Sequence, residues 1–423
     1  MPSPLAPPAS RLLVSLLVGL AACGSSGGDD AIDARPRTDG ASGVDGAGGS
    51  CPARDGERDR AVVLTLNRDA GDTLEVRTLD AGGRLSSTGI VLATPANPRR
   101  VVVRDDGREA LVAFGAFGID YGIVRITMEP DGSTAEVAQT LVVGNDRVPF
   151  ALAYAGHDRA ILAMASGPDG HDLIALDRQE SGDFMTGPAA LIPGNWPLQL
   201  LGGPDADRAV LLRVNLAEDT ASELMPLARG ETGWVSSGAS GSVAPPSIAA
   251  AWRPSTSTIY SPASDPEHPA TLENLNPPGV LHVFTEAAGA LTAAPTFALP
   301  NDASTIAAGP GLLVLEDPVL EIPPDSDTPN VYSYRLTTVM LDAAGLPTTA
   351  TTTETPFDAL LVEDLAVVSP GLLVTGLILY ADRVPIGGTE YPIVVWGADA
   401  PGAWEPICDT VYVDGLPTLA VAP

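Results

Sequence analysis

Side chains that could carry acid–base or metal chemistry are scarce in this sequence. It has four histidines, which are His157, His171, His268 and His282. None of them has a second histidine at metal-ligand spacing. His157 lies in a predicted turn and His282 in a predicted strand, so we expect structural or surface roles for them. The sequence leaves open a site assembled from histidines and carboxylates that are distant in the chain.

Motifs for covalent or cofactor chemistry are also missing. All 23 basic residues are arginine, which excludes Schiff-base lysines, phosphate-loop lysines and Ser–Lys dyads. Residues 57–423 contain neither a G-x-S-x-G nucleophile motif nor a nucleotide-binding glycine fingerprint. Asp325 and Asp327, in IPPDSDTPN, lack the later glycine and glutamate of a calcium loop. We predict no cofactor and no metal, with calcium as the alternative.

The charge balance argues against polyanionic partners. The formal net charge of the 423 residues is −30, so nucleic acid and anionic lipid surfaces would be repelled. Hydrophobic residues make up 45% of the chain, which is enough for a sizeable core. With 44 glycines and 40 prolines, the chain is expected to be rich in turns and poor in helix.

The N-terminus points to export. Arg11 precedes an apolar stretch over residues 12–22, which is too short for a membrane-spanning helix and typical of a signal peptide. The stretch ends in Leu-Ala-Ala-Cys at 20–23, which closely resembles the lipobox of bacterial lipoproteins. That resemblance implies cleavage after residue 22, lipidation of Cys23 and anchoring by several acyl chains. Gly24 follows the cysteine instead of aspartate, so we expect the outer membrane, on either face. The alternative is an ordinary secretory signal.

The next segment has almost nothing to bury. Residues 24–50 are rich in Gly, Ser and Asp, which predicts a disordered tether. We therefore divide the chain into a signal peptide over 1–22, a lipidated cysteine and tether over 23–56, and a folded domain over 57–423.

The folded domain contains an internal repeat. Seven times, an alternating strand runs through a glycine turn into a second strand, and the turn glycines are Gly83, Gly132, Gly182, Gly233, Gly289, Gly345 and Gly402. Their spacings run from 49 to 57 residues, and the period-two strands with turn residues at the join are typical of β-hairpins.

A second hairpin pattern lies between these repeats, in six complete copies. The seventh copy is split, because the chain ends in DGLPTLAVAP and the folded part begins with DRAVVLTLN. Four strands per unit, seven units and complementary termini predict an all-β, seven-bladed β-propeller closed by the C-terminal strand. Its architecture resembles the broad propeller group that includes lactonase-like and WD40-like proteins, although the Trp-Asp signature is absent. A pair of β-sandwiches is the alternative fold.

The remaining two cysteines flank the predicted ring closure. Cys51 precedes the first folded strand, and Cys408 precedes the last one. An exported protein folds in an oxidising compartment, so we predict a Cys51–Cys408 disulfide.

Three connections in the later repeats are enlarged. They span 261–279, 316–332 and 380–392 and are acidic and rich in proline. Since binding often resides in loops on a rigid scaffold, we predict a recognition rim there. Its candidate contacts are Tyr260, His268, Tyr332, Tyr380 and Tyr391. Neutral drift of surface loops explains the enlargement equally well.

For function, the sequence favours a lipid-anchored binding module for an envelope protein or extracellular ligand, and not an enzyme. The first alternative is a propeller hydrolase or lactonase with acidic side chains or a metal over the central channel. The second is a structural lipoprotein without a specific ligand. Converging polar side chains at the channel mouth would favour catalysis.

Overall fold

Seven antiparallel sheets form a ring in the computed structural model of the protein. The structure describes residues 61–422, with gaps at 68–70, 81, 166–170, 193–195, 204, 206, 215–220, 272–273, 323–329, 359, 382–383, 386–389, 408–409 and 415–417. The all-β, seven-bladed propeller predicted from the repeat is confirmed.

The strands follow the predicted order along the chain. Blade 1 contains β1 (Ala61–Asn67), β2 (Thr73–Leu79) and β3 (Leu85–Ala93). Blade 2 contains β4 (Pro98–Val103), β5 (Glu109–Phe114), β6 (Asp120–Met128) and β7 (Ala135–Asn145). Blade 3 contains β8 (Val148–Ala155), β9 (Arg159–Ala165), β10 (His171–Arg178) and β11 (Phe184–Ile192). Blade 4 contains β12 (Trp196–Gly202), β13 (Arg208–Val214), β14 (Ser222–Gly230), β15 (Gly233–Ser236) and β16 (Gly241–Val243).

The later blades are longer. Blade 5 contains β17 (Ala251–Arg253), a 3-10 turn (Pro254–Thr256), β18 (Thr258–Ser264), β19 (Gly279–Ala287), β20 (Ala290–Ala293) and β21 (Phe297–Leu299). Blade 6 contains β22 (Thr305–Gly309), β23 (Leu312–Glu321), β24 (Asn330–Leu341) and β25 (Pro347–Asp358). Blade 7 contains β26 (Leu360–Ser369), β27 (Leu372–Ala381), β28 (Val384–Pro385), β29 (Glu390–Ala398), β30 (Trp404–Pro406) and β31 (Val411–Asp414). The chain ends in β32 (Thr418–Ala422).

The two chain ends complete each other. Strand β32 pairs antiparallel with β1, with Leu64 opposite Ala420, and so becomes the inner strand of blade 1. The inner strands β32, β4, β8, β12, β17, β22 and β26 contact one another in that order and back to β32. Each of the seven blades therefore has an inner strand that contacts those of its two neighbours, and the ring is closed.

The hydrophobic core is divided among the blade interfaces. The described residues form seven clusters of buried apolar side chains, one between each pair of neighbouring blades. Both faces of each sheet are therefore buried near the axis, which explains why β1 is buried along its whole length. Within the described residues, no helix has the length and apolar character needed to span a bilayer.

The repeat is set by local turn chemistry. All seven predicted turn glycines adopt positive φ, between 69° and 120°, a region that favours glycine. At Gly83 the packing is also tight, since a Cβ there would lie 2.1 Å from the side chain of Ile407 in blade 7.

The two ends of the ring differ in their connections. One end, which we call the turn face, carries the turns that leave the inner strands, such as 104–108, and the hairpins into the outer strands. The other end, which we call the loop face, carries the second-to-third-strand loops, such as 115–119, and the links between blades. Contacts such as the hydrogen bond from the Gly115 N–H to the Asn97 carbonyl hold the loop-face segments together.

Candidate functional site

A cavity lies at the turn face, where the inner strands of blades 2 to 5 end. Its volume is about 250 Å³, and its walls come from the ends of β4, β8, β12 and β17 together with the turns that follow them. The charged and titratable residues that line it are Arg104, Asp105, Tyr154 and His157. They come from two blades, because Arg104 and Asp105 follow β4 whereas His157 follows β8.

Arg104 is held in place by its own turn. Its Nε and Nη2 donate to the two carboxylate oxygens of Asp106 at 2.9 and 2.8 Å. This bidentate hydrogen bonding lowers the pKa of Asp106 and raises that of Arg104. A guanidinium has five N–H donors and Asp106 takes two, so Arg104 retains donors for a ligand oxygen.

Asp105 and His157 supply the proton acceptors of the cavity. Both side chains are exposed, and both lie in the short turn between an inner strand and the next strand. The backbone of the His157 turn is fixed, because Arg178 Nε donates to the His157 carbonyl oxygen at 3.3 Å.

Aromatic and glycine residues complete the cavity wall. Tyr154 is 9% exposed, and its hydroxyl donates to Glu109 Oε1 at 3.1 Å. Burial, followed by the charge of Glu109, raises the Tyr154 pKa well above its ordinary value, so this hydroxyl stays protonated. Gly202 permits the close approach of blades 3 and 4, because a Cβ there would lie 1.8 Å from the Tyr154 carbonyl oxygen. Trp252 of blade 5, 8% exposed, forms the far wall.

The arrangement combines a fixed cation, two exposed proton acceptors and a partly apolar wall. Such a set can polarise a carbonyl oxygen and activate a water molecule beside it. Among the described residues, no three His, Cys, Asp or Glu side chains are placed to hold a metal ion.

Two residues of the predicted recognition rim are not at the surface. Tyr260 lies in β18 and is fully buried, with its hydroxyl donating to the Gly345 carbonyl of blade 6 at 2.6 Å. Tyr391 lies in β29 and is 2% exposed. Placing these two tyrosines on the rim was wrong, because alternation along a strand that is buried on both faces gives no exposed position.

His268 does lie on an exposed loop at the loop face. Its Nδ1 is 2.8 Å from Asp265, and this hydrogen bond raises the His268 pKa. The first enlarged loop also contacts the blade that carries the second, since Asn276 exchanges two hydrogen bonds with the Leu320 backbone. The cavity is on the opposite face, so His268 and the cavity are not brought together.

The other predicted sites lie outside the described residues or lack described side chains. Cys23, Cys51 and Cys408 fall outside them, as do Asp325 and Asp327. Tyr332 and Tyr380 lie in β24 and β27, and their side chains are not described. Lipidation at Cys23, the Cys51–Cys408 disulfide and the calcium alternative therefore stay predictions.

Sequence reasoning missed the cavity. The signal was present, since VVVRDDGREA and AYAGHDRA place charged turns at the same position in two successive repeats. His157 was interpreted as structural because no partner lies near it in the chain. Arg104 and Asp105 are about fifty residues away in the chain, and the packing of blades 2 and 3 places them on the same cavity as His157.

Comparison with known proteins places the fold. No protein-family model and no curated protein sequence matches the chain. Among solved structures it is similar to the periplasmic gluconolactonase of Pseudomonas aeruginosa, with a TM-score of 0.58 and 14% identity over 86% of this chain and 99% of that one. It is also similar to a Bacteroides fragilis protein proposed to be a 6-phosphogluconolactonase, with a TM-score of 0.55 and 14% identity over 86% and 97% of the two chains. A third neighbour, from Desulfotomaculum acetoxidans and of unknown function, has a TM-score of 0.52 and 10% identity over 85% and 98%.

These findings correct the functional expectation from the sequence. The preference for a binding module over an enzyme is contradicted, because the similar proteins from Pseudomonas aeruginosa and Bacteroides fragilis are named as lactonases. The convergence of Arg104, Asp105 and His157 at the end of the inner strands favours the same correction. At these identities the likeness establishes the propeller fold, and the activity of this chain is a separate question.

Proposed function

We propose that this protein is a lactonase-type hydrolase that opens a cyclic ester in the cavity at the turn face. The observation that carries the proposal is the placement of Arg104, Asp105 and His157 on one cavity, in a fold shared with a gluconolactonase over 86% of this chain and 99% of that one.

The residues suggest how the ester would be opened. Arg104 donates to the carbonyl oxygen of the lactone and stabilises the negative charge that develops there. His157 accepts a proton from a water molecule, whose oxygen attacks the carbonyl carbon. The bond between that carbon and the ring oxygen then breaks, and the ring oxygen takes the proton from the imidazolium. The product is the open hydroxy acid, and Asp105 is the second proton acceptor on the cavity wall.

Two substitutions test this assignment. In a pH-stat assay with glucono-1,5-lactone, corrected for spontaneous ring opening, we expect the wild type to accelerate hydrolysis. His157→Ala removes the base and Arg104→Gln removes the positive charge, so each should lower kcat roughly 100-fold or more.

His268→Ala is the matched control, since it removes an exposed histidine from the opposite face and should leave kcat unchanged. A wild type no faster than spontaneous hydrolysis would contradict the proposal. So would a His157→Ala variant that retains full activity.

We further propose that the enzyme works outside the cytoplasm, tethered through a lipidated Cys23. The sequence over 12–23 supports this location, and the periplasmic origin of the similar gluconolactonase agrees with export. A lipid tether would keep the enzyme at the envelope while the acidic domain stays in solution.

A further inference from the structure

One buried carboxylate contacts both halves of the cavity wall. Glu109 opens β5, directly after the turn that carries Arg104 and Asp105, and is 2% exposed. Its Oε1 accepts the Tyr154 hydroxyl at 3.1 Å and lies 3.6 Å from Arg104 Nη1. A single side chain of blade 2 therefore reaches cavity residues of blades 2 and 3.

A second link runs from Glu109 to the histidine. Arg178, at the end of β10, binds both carboxylate oxygens of Glu109, with Nη1 at 3.0 Å from Oε2. The same guanidinium donates through Nε to the His157 carbonyl oxygen. It is fixed further by the Gly182 carbonyl at 2.8 Å and by the Phe184 ring at 4.6 Å from its centre. Arg178 is thus a rigid bridge between Glu109 and the His157 turn.

The buried Glu109 carboxylate depends strongly on its hydrogen-bond and ion-pair partners. Arg125 Nη1 adds a third guanidinium at 3.3 Å from Oε2. A carboxylate withdrawn from water is stable only when its charge and lone pairs are matched, and removing one partner leaves an uncompensated charge. The positions of Arg104, Tyr154 and Arg178 around Glu109 are therefore coupled and cannot shift independently.

We propose that Glu109 is a positioning residue that fixes Arg104 and His157 relative to each other across the interface of blades 2 and 3. Its effect on catalysis rests on the proposed lactonase function, whereas its effect on the geometry does not. Glu109 itself touches no substrate, because it is buried beneath the cavity wall.

Glu109→Gln tests this role, because the amide removes the charge and can no longer accept from Tyr154 and the surrounding arginines at once. We expect kcat for glucono-1,5-lactone to fall roughly 100-fold with little change in KM, since a displaced Arg104 loses its contact with the developing charge. Proton NMR of the imidazole ring provides a readout independent of activity. The His157 resonance, assigned through His157→Ala, should shift in Glu109→Gln, and that of His268 should not.

Glu286→Gln is the matched control for general destabilisation. Glu286 is a buried carboxylate that pairs across blades 4 and 5 with Arg208 at 3.1 Å, and neither residue lines the cavity. The Glu286→Gln variant should have a lower melting temperature, while its His157 resonance and its kcat stay as in the wild type. If Glu109→Gln fails to fold, Arg178→Lys keeps a cation beside Glu109 but removes the donor to the His157 carbonyl, and should shift the same resonance.

The outcomes separate the two proposals. An unmoved His157 resonance in both Glu109→Gln and Arg178→Lys overturns the positioning role. A shifted resonance in a protein without lactonase activity supports the positioning role and overturns the proposed function.

Discussion

The buried carboxylate of Glu316 is chemically unlike Glu109. It lies in β23 at the interface of blades 6 and 7 and is 1% exposed. Its Oε2 accepts the Ser304 hydroxyl, while its Oε1 has no hydrogen-bond partner among the described residues. Burial raises the pKa of Glu316 from 4.5 to about 8, so the folded protein favours the protonated acid.

Stability should therefore depend on pH in a defined direction. A folded-state pKa above the unfolded one gives a stabilising contribution that is complete below about pH 4.5 and is lost as pH rises through about 8. We predict that the melting temperature of the wild type falls between about pH 5 and about pH 9. Glu316→Gln, which stays neutral, should flatten this slope in thermal melts. The exposed Glu354→Gln is the control, and parallel pH curves for wild type and Glu316→Gln would show that Glu316 does not titrate in this range.

Single residues were the least predictable from the sequence. Tyr260 and Tyr391 lie at the boundary between a strand and a loop in the repeat pattern, so the pattern could not separate a buried position from a rim position. His157 was placed in its turn correctly, but its proximity to Arg104 depends on how two blades pack, and that information is not local.

At the scale of strands, polar side chains link one inner strand to the next. Asp364 in β26 accepts the Leu419 N–H of β32 through Oδ2 at 2.9 Å, and so joins blade 7 to blade 1 at the ring closure. Gln199 in β12 accepts the Ala250 N–H, just before β17, at 2.9 Å. Both residues adjoin a β-bulge in their own strand. The bulges thus turn a side chain toward the neighbouring blade.

The hydrogen bond of Asp364 should stabilise its partner strand more than the hydrogen bond of Gln199 does. Strand β32 has five residues and ends the described chain, whereas β17 is held by the chain on both sides. We predict that Asp364→Ala destabilises β32 by about 1–3 kcal/mol, the cost of leaving the Leu419 N–H without its partly buried hydrogen bond. In hydrogen-exchange mass spectrometry, the C-terminal peptide should exchange faster in Asp364→Ala and stay as in the wild type in Gln199→Ala. Unchanged exchange in Asp364→Ala would mean that pairing with β1 alone closes the ring.

Strands and turns were largely predictable, because their signals are local. The seven glycines at positive φ and the complementary chain ends follow from turn chemistry and period-two alternation. The division of the outer strands of blades 4, 5 and 7 into two segments each was not predicted. The division depends on where an outer strand stops pairing with its neighbour. The alternation of apolar and polar residues does not predict that position.

At the scale of the whole molecule, the two sides of the ring are held together differently. Ion pairs join blades 2 to 5, through Arg178 with Glu109, Arg229 with Asp177 and Arg208 with Glu286. Neutral hydrogen bonds join blades 5 to 7, through Tyr260 with Gly345 and Trp404 with Thr338. The cavity lies among blades 2 to 5, the part of the ring that these ion pairs join.

The location of the site could not be read from the sequence, because ring closure brings together residues about fifty positions apart. The enlarged loops drew the prediction to the loop face, since length differences are visible in a sequence and cavities are not. The rigid ring, once formed, places the turns of blades 2 and 3 side by side.

The most direct test of this account is a crystal structure of the protein soaked with a sugar δ-lactam, an amide analogue that resists ring opening. We predict that the lactam occupies the turn-face cavity, with its carbonyl oxygen hydrogen-bonded to Arg104 and its ring beside His157. A lactam bound at the loop face, or a cavity that stays empty at saturating concentration, would contradict the assignment of the active site.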